Sequence, residues 1–433
     1  MTNKKSNILP IVVMYLLFFM IAFVTNLCNP MAVIVKNNFA MSNFAAQLGN
    51  AANFIAYAAM GIPAGMLLKK IGYRKTALVA ILVGFVGVFL QYMSGWATIQ
   101  SFWVYLAGAF TAGFCMCMLN TVVNPMLNTL GGGGNKGNQL VQFGGVCNSL
   151  AAVLVTIIMG GLIADATKAQ IADATPALMI ALGVFAFAFI VLLLVKIPEP
   201  SLESEKVNVE NEKKYSAFSF RHFNLGILAI FLYMGVEVGV PTYVMQYLTT
   251  SPEAATPGLG INAGIVGMIV AVYWLLMLIG RLLGGMIGGK VSSRAQITGV
   301  SVLCLVLVLL GMFLPADVMV KMPGIDWATL TVMTAQVPVG VFALILVGLC
   351  TSVMWGGIFN MAVEGLGKYT SIASGAFMTM VCGGGVLIPL QGKLADVFGN
   401  FQMSYIVVLV CTAYILFYAL VGSKNVNKNI PTE

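Results

Sequence analysis

One acidic residue, Glu237, stands out because it lies in the middle of a long apolar stretch. The segment around it, Tyr233–Pro241, contains no other charged residue. A carboxylate at the centre of a membrane-spanning helix costs about 2.5 to 3.5 kcal/mol, so residues kept there usually serve a function. Glu237 could bind a proton or a metal cation, or accept hydrogen bonds from sugar hydroxyls. The alternative is a structural ion pair with a basic residue such as Arg281.

Asparagines form a second group of polar residues inside apolar stretches. Asn120, Asn124 and Asn128 are spaced four apart, so their amides lie on one face of a helix. Asn26 and Asn29 occupy another apolar stretch, and Asn29 and Asn124 each precede a proline. A proline leaves a backbone carbonyl unpaired, and that carbonyl can bind a solute or cation where it lines a cavity. Uncharged amides suit a neutral polyol better than an ion, although hydrogen bonding between helices would use the same residues.

Aromatic side chains and further amides complete the set of candidate site residues. The aromatic candidates are Tyr273, Trp274 and Trp355, and the amide candidates are Asn53, Gln142, Asn148 and Asn360. An aromatic face can stack on the C–H side of a sugar ring while amides bond its hydroxyls, so together they can form a sugar site. Each aromatic residue taken alone is more often a packing residue or an anchor at the membrane interface.

The sequence carries little that could serve an enzyme or a metal site. All eight cysteines lie in apolar stretches without a CxxC pair, and the single histidine, His222, lies where a loop enters an apolar stretch. The chain contains no HExxH or GxSxG motif and no pair of aspartates within an apolar stretch. We therefore expect neither an enzyme nor a bound cofactor or metal.

The composition of the whole chain indicates a membrane protein. Of 433 residues, 60% are apolar and only 8% are charged, whereas roughly a quarter are charged in soluble domains. A soluble domain needs a charged surface, but helices that face lipid do not. The net charge of +8 comes from basic residues in particular loops, as expected for signals of membrane orientation. We therefore predict the lipid bilayer, and no nucleic acid, as a partner.

Twelve apolar stretches are long enough to cross a membrane as helices of roughly 20 residues. Six precede a charged segment and six follow it: 8–28, 47–68, 76–95, 102–124, 139–163 and 177–197, then 223–248, 263–286, 297–315, 338–360, 371–394 and 402–422. The pattern predicts an all-α polytopic protein of two pseudo-symmetric six-helix bundles. We predict the N-terminal bundle at 1–198, a linker at 199–222 and the C-terminal bundle at 223–433. Two such halves meeting around a central cavity are typical of transporters.

Lysines and arginines are concentrated in alternate loops, which predicts an orientation. They lie near both termini, in or beside the linker, and in the loops after spans two, four, eight and ten. The opposite loops contain only four lysines. Cytoplasmic loops carry the excess of basic residues, so both termini and the linker are predicted to be cytoplasmic. The first apolar stretch lacks a small-residue cleavage site and is predicted to be a span, not a signal peptide. We expect a monomer in a bacterial inner membrane.

Several of these residues belong to motifs that resemble the fucose permease branch of the major facilitator superfamily. The motifs are Asn124-Pro125, Gly235-Val-Glu237-Val238, Tyr273-Trp274, Gly280-Arg281 and Gly383-Gly-Gly385. That branch includes bacterial glucose/galactose and N-acetylglucosamine permeases. The resemblance implies the facilitator fold and uptake of a hexose-type sugar by alternating access. The sugar would be of the glucose, galactose, fucose or N-acetylhexosamine class, and a co-transported cation would drive its uptake.

The chain departs from that family at positions tied to proton coupling. Fucose permeases carry acids where this chain has Asn29 and Asn120, neither of which can titrate, and a family glutamine is displaced to Gln142. The resemblance therefore leaves Glu237, together with Asn29 and Asn120, as candidates for binding a co-transported sodium ion or proton. The alternatives are uncoupled diffusion, a permease or exporter for a nucleoside, muropeptide or drug, and a sensor that has lost transport.

Overall fold

The computed structural model of the chain describes residues 8–131, 134–162, 168–195, 197–199, 215–287, 291–326, 331–366, 369–427 and 429–430. Within these ranges, twelve helical segments are long and apolar enough to cross a membrane, which confirms the prediction of twelve spans. We number the spans one to twelve in chain order. Helices are the expected form, because a chain that crosses hydrocarbon must pair its own backbone N–H and C=O groups.

Spans one to six form what we call the first half. They are the helices Ile8–Asn38, Leu48–Ile71, Tyr73–Met93, Phe102–Leu130, Gly134–Leu162 and Thr175–Leu194. A short helix, Asn43–Ala46, leads into span two, and a 3-10 turn, Ile171–Ala174, leads into span six.

Spans seven to twelve form the second half and are more interrupted. Their helices are Arg221–Thr249, Ala263–Ile287 and Ser293–Phe313 for spans seven to nine, Val339–Thr351 and Met354–Val363 for span ten, Thr370–Thr379, Met380–Cys382 and Gly383–Phe398 for span eleven, and Phe401–Ser404, Ile406–Phe417 and Tyr418–Gly422 for span twelve. Span seven thus includes the last two residues of the predicted linker, 199–222, most of which lies outside the described residues.

The predicted ends of spans one and four are wrong. The sequence predicts ends just before Pro30 and Pro125, but both helices continue through the proline. A proline is tolerated in a membrane helix when nearby groups bond the backbone that it disturbs. In span four, the side-chain amide of Asn124 donates to the backbone oxygen of Asn120 at 2.9 Å, next to the carbonyl of Thr121, to which Pro125 has no N–H to donate.

The loop between spans nine and ten contains a small antiparallel ribbon, which the all-α prediction omits. Its strands are β1 (Met319–Asp326) and β2 (Thr331–Pro338), with Met319 opposite Pro338. The β-branched residues of β2 favour an extended backbone. Two strands alone are marginally stable, and this ribbon packs on the start of span eight, where Gly324 meets Ile265.

The bundle has two ends, which we name by what lies there. The linker face is the end with residues 197–199 and 215–220, and the ribbon face is the opposite end, with β1 and β2. Odd-numbered spans run from the linker face to the ribbon face, and even-numbered spans run back. On the linker face, the carboxylate of Glu199 accepts hydrogen bonds from the backbone N–H groups of Tyr73 (2.7 Å) and Arg74 (3.0 Å).

Candidate functional site

A cavity of about 150 Å³ lies between the two halves. Its wall comes from spans one, two, four and five of the first half and from spans seven, eight, ten and eleven of the second. The cavity could hold on the order of ten water molecules. It extends toward the linker face, because Val141 lies near the linker-face start of span five and Arg281 near the linker-face end of span eight.

Seven of the twelve predicted site residues line this one cavity. They are Asn26, Asn120, Asn124 and Asn148 from the first half, and Glu237, Trp274 and Trp355 from the second. A polar side chain within a membrane span is favourable only against a cavity or a polar partner, which explains why so many of them face the same space. The side chains of Asn29 and Gln142 lie outside the described part of the structure.

Three predicted site residues are placed elsewhere. Asn53 is buried and donates from its side-chain amide to the Sγ of Cys28 at 3.1 Å. Tyr273 is buried behind Glu237, and its hydroxyl donates to the Glu237 backbone oxygen at 2.9 Å. Asn360 is exposed on the surface of span ten. The first two use neighbouring helices as partners, which is the alternative that the sequence leaves open.

Asn120 lies at the centre of the polar wall of the first half. Its side-chain amide donates to the hydroxyl of Tyr57 at 3.0 Å, and its backbone oxygen accepts the bond from Asn124. Tyr57, which lies one helical turn after Asn53 in the sequence, also lines the cavity. Thr25 also lines the cavity, and its buried hydroxyl has no hydrogen-bond partner among the described residues. This wall therefore offers amide and hydroxyl groups to a solute.

The two charged residues among the described lining residues form an ion pair. The Nη2 of Arg281 donates to the Oε1 of Glu237 at 3.4 Å, and the two side chains are only 10% and 13% exposed. The Nη1 of Arg281 donates to the backbone oxygen of Gly145 at 2.6 Å and to the Oγ of Ser149 at 3.0 Å. The ion pair that the sequence offers as an alternative role for Glu237 is therefore present. The bonds of Arg281 to span five are not predictable from the sequence.

Two tryptophans supply the aromatic part of the wall. Trp274 packs edge-on against Tyr273, with ring centroids 5.1 Å apart. Trp355 packs edge-on against Tyr233 and Phe377, with centroids 6.1 and 5.8 Å apart. Such edge-to-face contacts restrain the ring planes, so the faces that remain free are held in fixed positions.

Between the cavity and the ribbon face, spans five and eight are in backbone contact. A methyl group added at Gly160 would lie 2.9 Å from the Cα of Gly267 and 3.0 Å from the backbone oxygen of Ala263. We call Gly160, Gly264 and Gly267 the glycine seam. Small residues of this kind allow two membrane helices to approach through their backbones. The seam joins the two halves on the ribbon-face side of the cavity.

A second contact joins the halves on the ribbon face. The backbone N–H of Phe44, in the short helix before span two, donates to the Oδ2 of Asp396 in span eleven at 3.3 Å. Asp396 also lies 3.5 Å from the Oγ1 of Thr256, within the second half. The halves therefore also meet through this bond, and spans two and eleven pack against each other close by, where a Cβ at Gly385 would lie 2.7 Å from the backbone oxygen of Ala51.

Residues 14–389 match the sequence profile of the Major Facilitator Superfamily. The chain belongs to this superfamily. A glucose/galactose transporter of Brucella abortus is 26% identical over 429 residues, which cover 98% of this chain and 96% of that protein. The L-fucose-proton symporter of Escherichia coli is 23% identical over 448 residues, which cover 98% of this chain and 95% of that protein.

A solved structure of a Major Facilitator Superfamily transporter, FucP, in the outward conformation has the same fold. Its TM-score is 0.70 at 22% sequence identity, and the match covers 97% of this chain and 100% of that chain. The facilitator fold and the resemblance seen in the sequence are thereby confirmed. As a member of the Major Facilitator Superfamily, the chain is a multi-pass membrane transporter and not an enzyme.

Proposed function

We propose that this chain imports a neutral hexose-type sugar by alternating access, coupled to a co-transported sodium ion or proton. The observation that carries the proposal is the convergence of four amides, one carboxylate and two tryptophans on one cavity between the halves. The similar proteins named above are a glucose/galactose transporter and an L-fucose-proton symporter. The proposal therefore agrees with the chemistry of the cavity wall and with the similarity of the chain to these transporters.

The polarity of the wall favours a solute without net charge. Amides both donate and accept hydrogen bonds, and so do sugar hydroxyls. The charges of Glu237 and Arg281 compensate each other, so a charged solute would enter a buried space with no spare counter-ion. The face of Trp274 or Trp355 can receive the apolar side of a pyranose ring.

Glu237 is the proposed cation-binding group. It is the one carboxylate among the described lining residues, and its charge now faces Arg281. A proton would bind Glu237 itself, whereas sodium would need further oxygen ligands, for which carbonyl and amide groups are suitable. Asn29 and Asn120 occupy positions where the resemblance expects acids, and we propose them as contributors of such oxygens. No resident cofactor is part of this proposal.

We further propose that the linker face is cytoplasmic and that the protein works as a monomer in a bacterial inner membrane. Arg74, Lys75 and Arg294 lie at that face, as the excess of basic residues in cytoplasmic loops requires. The cavity, which extends toward the linker face, then faces the cytoplasm, and the halves meet on the outer side.

Counterflow in proteoliposomes tests the proposed solute. Vesicles loaded with one unlabelled sugar are given labelled glucose, galactose, fucose or N-acetylglucosamine, and parallel vesicles are given a nucleoside, a muropeptide or a drug-like cation. We expect exchange of at least one hexose. Exchange of a nucleoside, muropeptide or drug without any hexose would contradict the proposal and favour the alternative solute class.

Sodium or proton gradients imposed across the same vesicles then identify the coupling ion. Hexose uptake that neither gradient drives would contradict coupling.

A pair of asparagine variants tests the location of the sugar. Asn120→Ala removes a lining amide, and the loss of one hydrogen bond, about 1 kcal/mol, should weaken sugar binding about fivefold. Asn360→Ala is the matched control, because Asn360 is exposed and does not line the cavity. Equal affinities in the two variants would move the site away from the cavity.

A further inference from the structure

Arg281 is the one charged residue among the described lining residues whose hydrogen bonds reach both halves of the bundle. It belongs to span eight, yet its Nη1 bonds two groups of span five, Gly145 and Ser149, in the first half. Its Nη2 bonds Glu237, on span seven of its own half. The guanidinium therefore lies between the proposed cation-binding carboxylate and the opposite half.

The distances show an uneven division of these bonds. The bonds to span five measure 2.6 and 3.0 Å, while the bond to Glu237 measures 3.4 Å. A charge-assisted N–H···O bond at full strength is about 2.7 to 2.9 Å long. In this arrangement of the halves, Arg281 is therefore held more closely by span five than by its counter-ion.

Glu237 and Arg281 restrain each other in a way that a cation would change. A proton or sodium ion on the carboxylate replaces Arg281 as the compensating charge, and the guanidinium is then free to bond span five alone. The other titratable groups near Glu237, among the described residues, are the phenols of Tyr233, one turn earlier on the same span, and Tyr273 on span eight. The hydrogen bonds described for these two phenols go to Thr351 and to the backbone of Glu237, not to span five. Arg281 is therefore the group through which a cation on Glu237 can affect the first half.

We propose that Arg281 is a positioning residue that links cation occupancy of Glu237 to the meeting of the two halves at the glycine seam. With Glu237 occupied, Arg281 binds Gly145 and Ser149 fully and favours the arrangement in which spans five and eight touch. With Glu237 charged and empty, Arg281 is drawn toward it and its hold on span five weakens. Such coupling is reciprocal, so the closed seam also raises the affinity of Glu237 for the cation. The inference rests on the cation-binding role proposed for Glu237.

Hydrogen–deuterium exchange of the whole detergent-solubilised or nanodisc-embedded protein tests this link without any sugar. The readout is amide exchange in residues 155–162 and 263–270, the segments that contain the glycine seam. We expect the coupling ion, sodium at fixed pH or acid after correction for intrinsic exchange, to slow exchange there about fivefold or more in the wild type. An unchanged rate under both conditions would overturn the inference.

Four variants separate the linking role of Arg281 from a merely structural one. Arg281→Gln should show fast exchange at the seam that no cation slows, whereas Glu237→Gln should show slow exchange without any cation. The double variant should behave like Arg281→Gln, because Arg281 acts after Glu237. Arg281→Lys keeps the positive charge but replaces the forked guanidinium by one ammonium group, so it should show part of the wild-type response. A double variant that behaves like Glu237→Gln would overturn the inference.

Matched controls keep the outcome independent of folding and of the proposed solute. Ser149→Ala removes only the 3.0 Å bond and should reduce the response without abolishing it. Arg294→Gln removes an arginine whose Nε bonds Ser423 within the second half, and it should respond as the wild type does. A normal cation response in Arg281→Gln would overturn the role of Arg281 while leaving sugar transport intact. Failure of hexose counterflow would contradict the proposed solute without affecting this result.

Discussion

Glu237 and Arg281 are opposite charges in a low-dielectric wall, and the cost of removing either depends on what the other still contacts. Breaking a buried ion pair usually destabilises a protein by about 3 to 5 kcal/mol, because one charge is left uncompensated. Arg281 keeps two acceptors on span five when Glu237 is neutralised. Glu237 has no comparable second cation among the described lining residues. Neutralising the acid should therefore be tolerated better than neutralising the base.

We expect Glu237→Gln to fold and to lose concentrative uptake. The neutral amide cannot bind a proton at working pH and binds sodium poorly, so the gradient no longer drives the sugar. Accumulation in energised vesicles should fall to the equilibrium ratio, while size-exclusion behaviour stays that of the wild type. Glu253→Gln, which changes an exposed acid in a loop, is the control. Undiminished accumulation by Glu237→Gln would remove its coupling role.

Trp274→Ala should weaken sugar binding about three- to tenfold. An aromatic contact contributes about 0.5 to 1.5 kcal/mol beyond simple burial, and Trp274 presents a restrained ring to the cavity. Trp103→Ala is the matched control, because that ring is 73% exposed on the outside of span four. Sugar affinity can be measured by tryptophan-independent means, such as scintillation proximity with labelled sugar. Equal affinities in the two variants would exclude Trp274 from the site.

At the scale of helices, spans five and eight can be this close only because the glycine seam has no side chains. Gly160→Ala places a Cβ 2.9 Å from the Cα of Gly267, a contact that must be relieved by separating spans five and eight. Overpacking of this kind costs about 1 to 3 kcal/mol. Exchange in residues 263–270 should rise about fivefold or more. Gly183→Ala, on span six, has open space around the added Cβ and should change nothing.

The sequence predicts most spans because a membrane helix needs only length and apolarity, and both are local properties. It misplaces the ends at Pro30 and Pro125 because a helix in a membrane can continue through a proline where its surroundings support the backbone, and the sequence alone does not give those surroundings. The ribbon is missed for a related reason. Its pairing of β1 with β2 depends on packing against span eight, so the strands have only a weak signal of their own.

The candidate site is partly predictable, because a polar side chain within a membrane span is favourable only against a cavity or a polar partner. Asn120, Asn124 and Glu237 face one cavity, as the cost of exposing them to hydrocarbon favours. Asn53 and Tyr273 obey the same rule through partners on other helices, and the sequence cannot tell the two outcomes apart. The hydrogen bonds of Arg281 in span eight to span five depend on how the spans pack together. They are therefore found only in the structure.

For the molecule as a whole, the number of spans and the distribution of basic loops predict both termini on the cytoplasmic side. A fluorescent protein fused after the last residue should fluoresce, because it folds in the cytoplasm. Alkaline phosphatase inserted between β1 and β2 should be active, because that ribbon is then extracytoplasmic. The reverse pair of results would place the linker face outside and make the described arrangement outward-facing.

The contact between Gly160 and Gly267 is formed by main chain, so no rotamer change there can open it. Spans five and eight must tilt or slide as rigid bodies, and each such displacement alters the cross-section that the protein presents to the acyl chains. Opening on the ribbon face should therefore respond to bilayer thickness and lateral pressure. The turnover rate would then depend on the lipids around the protein even when every solute concentration is held constant.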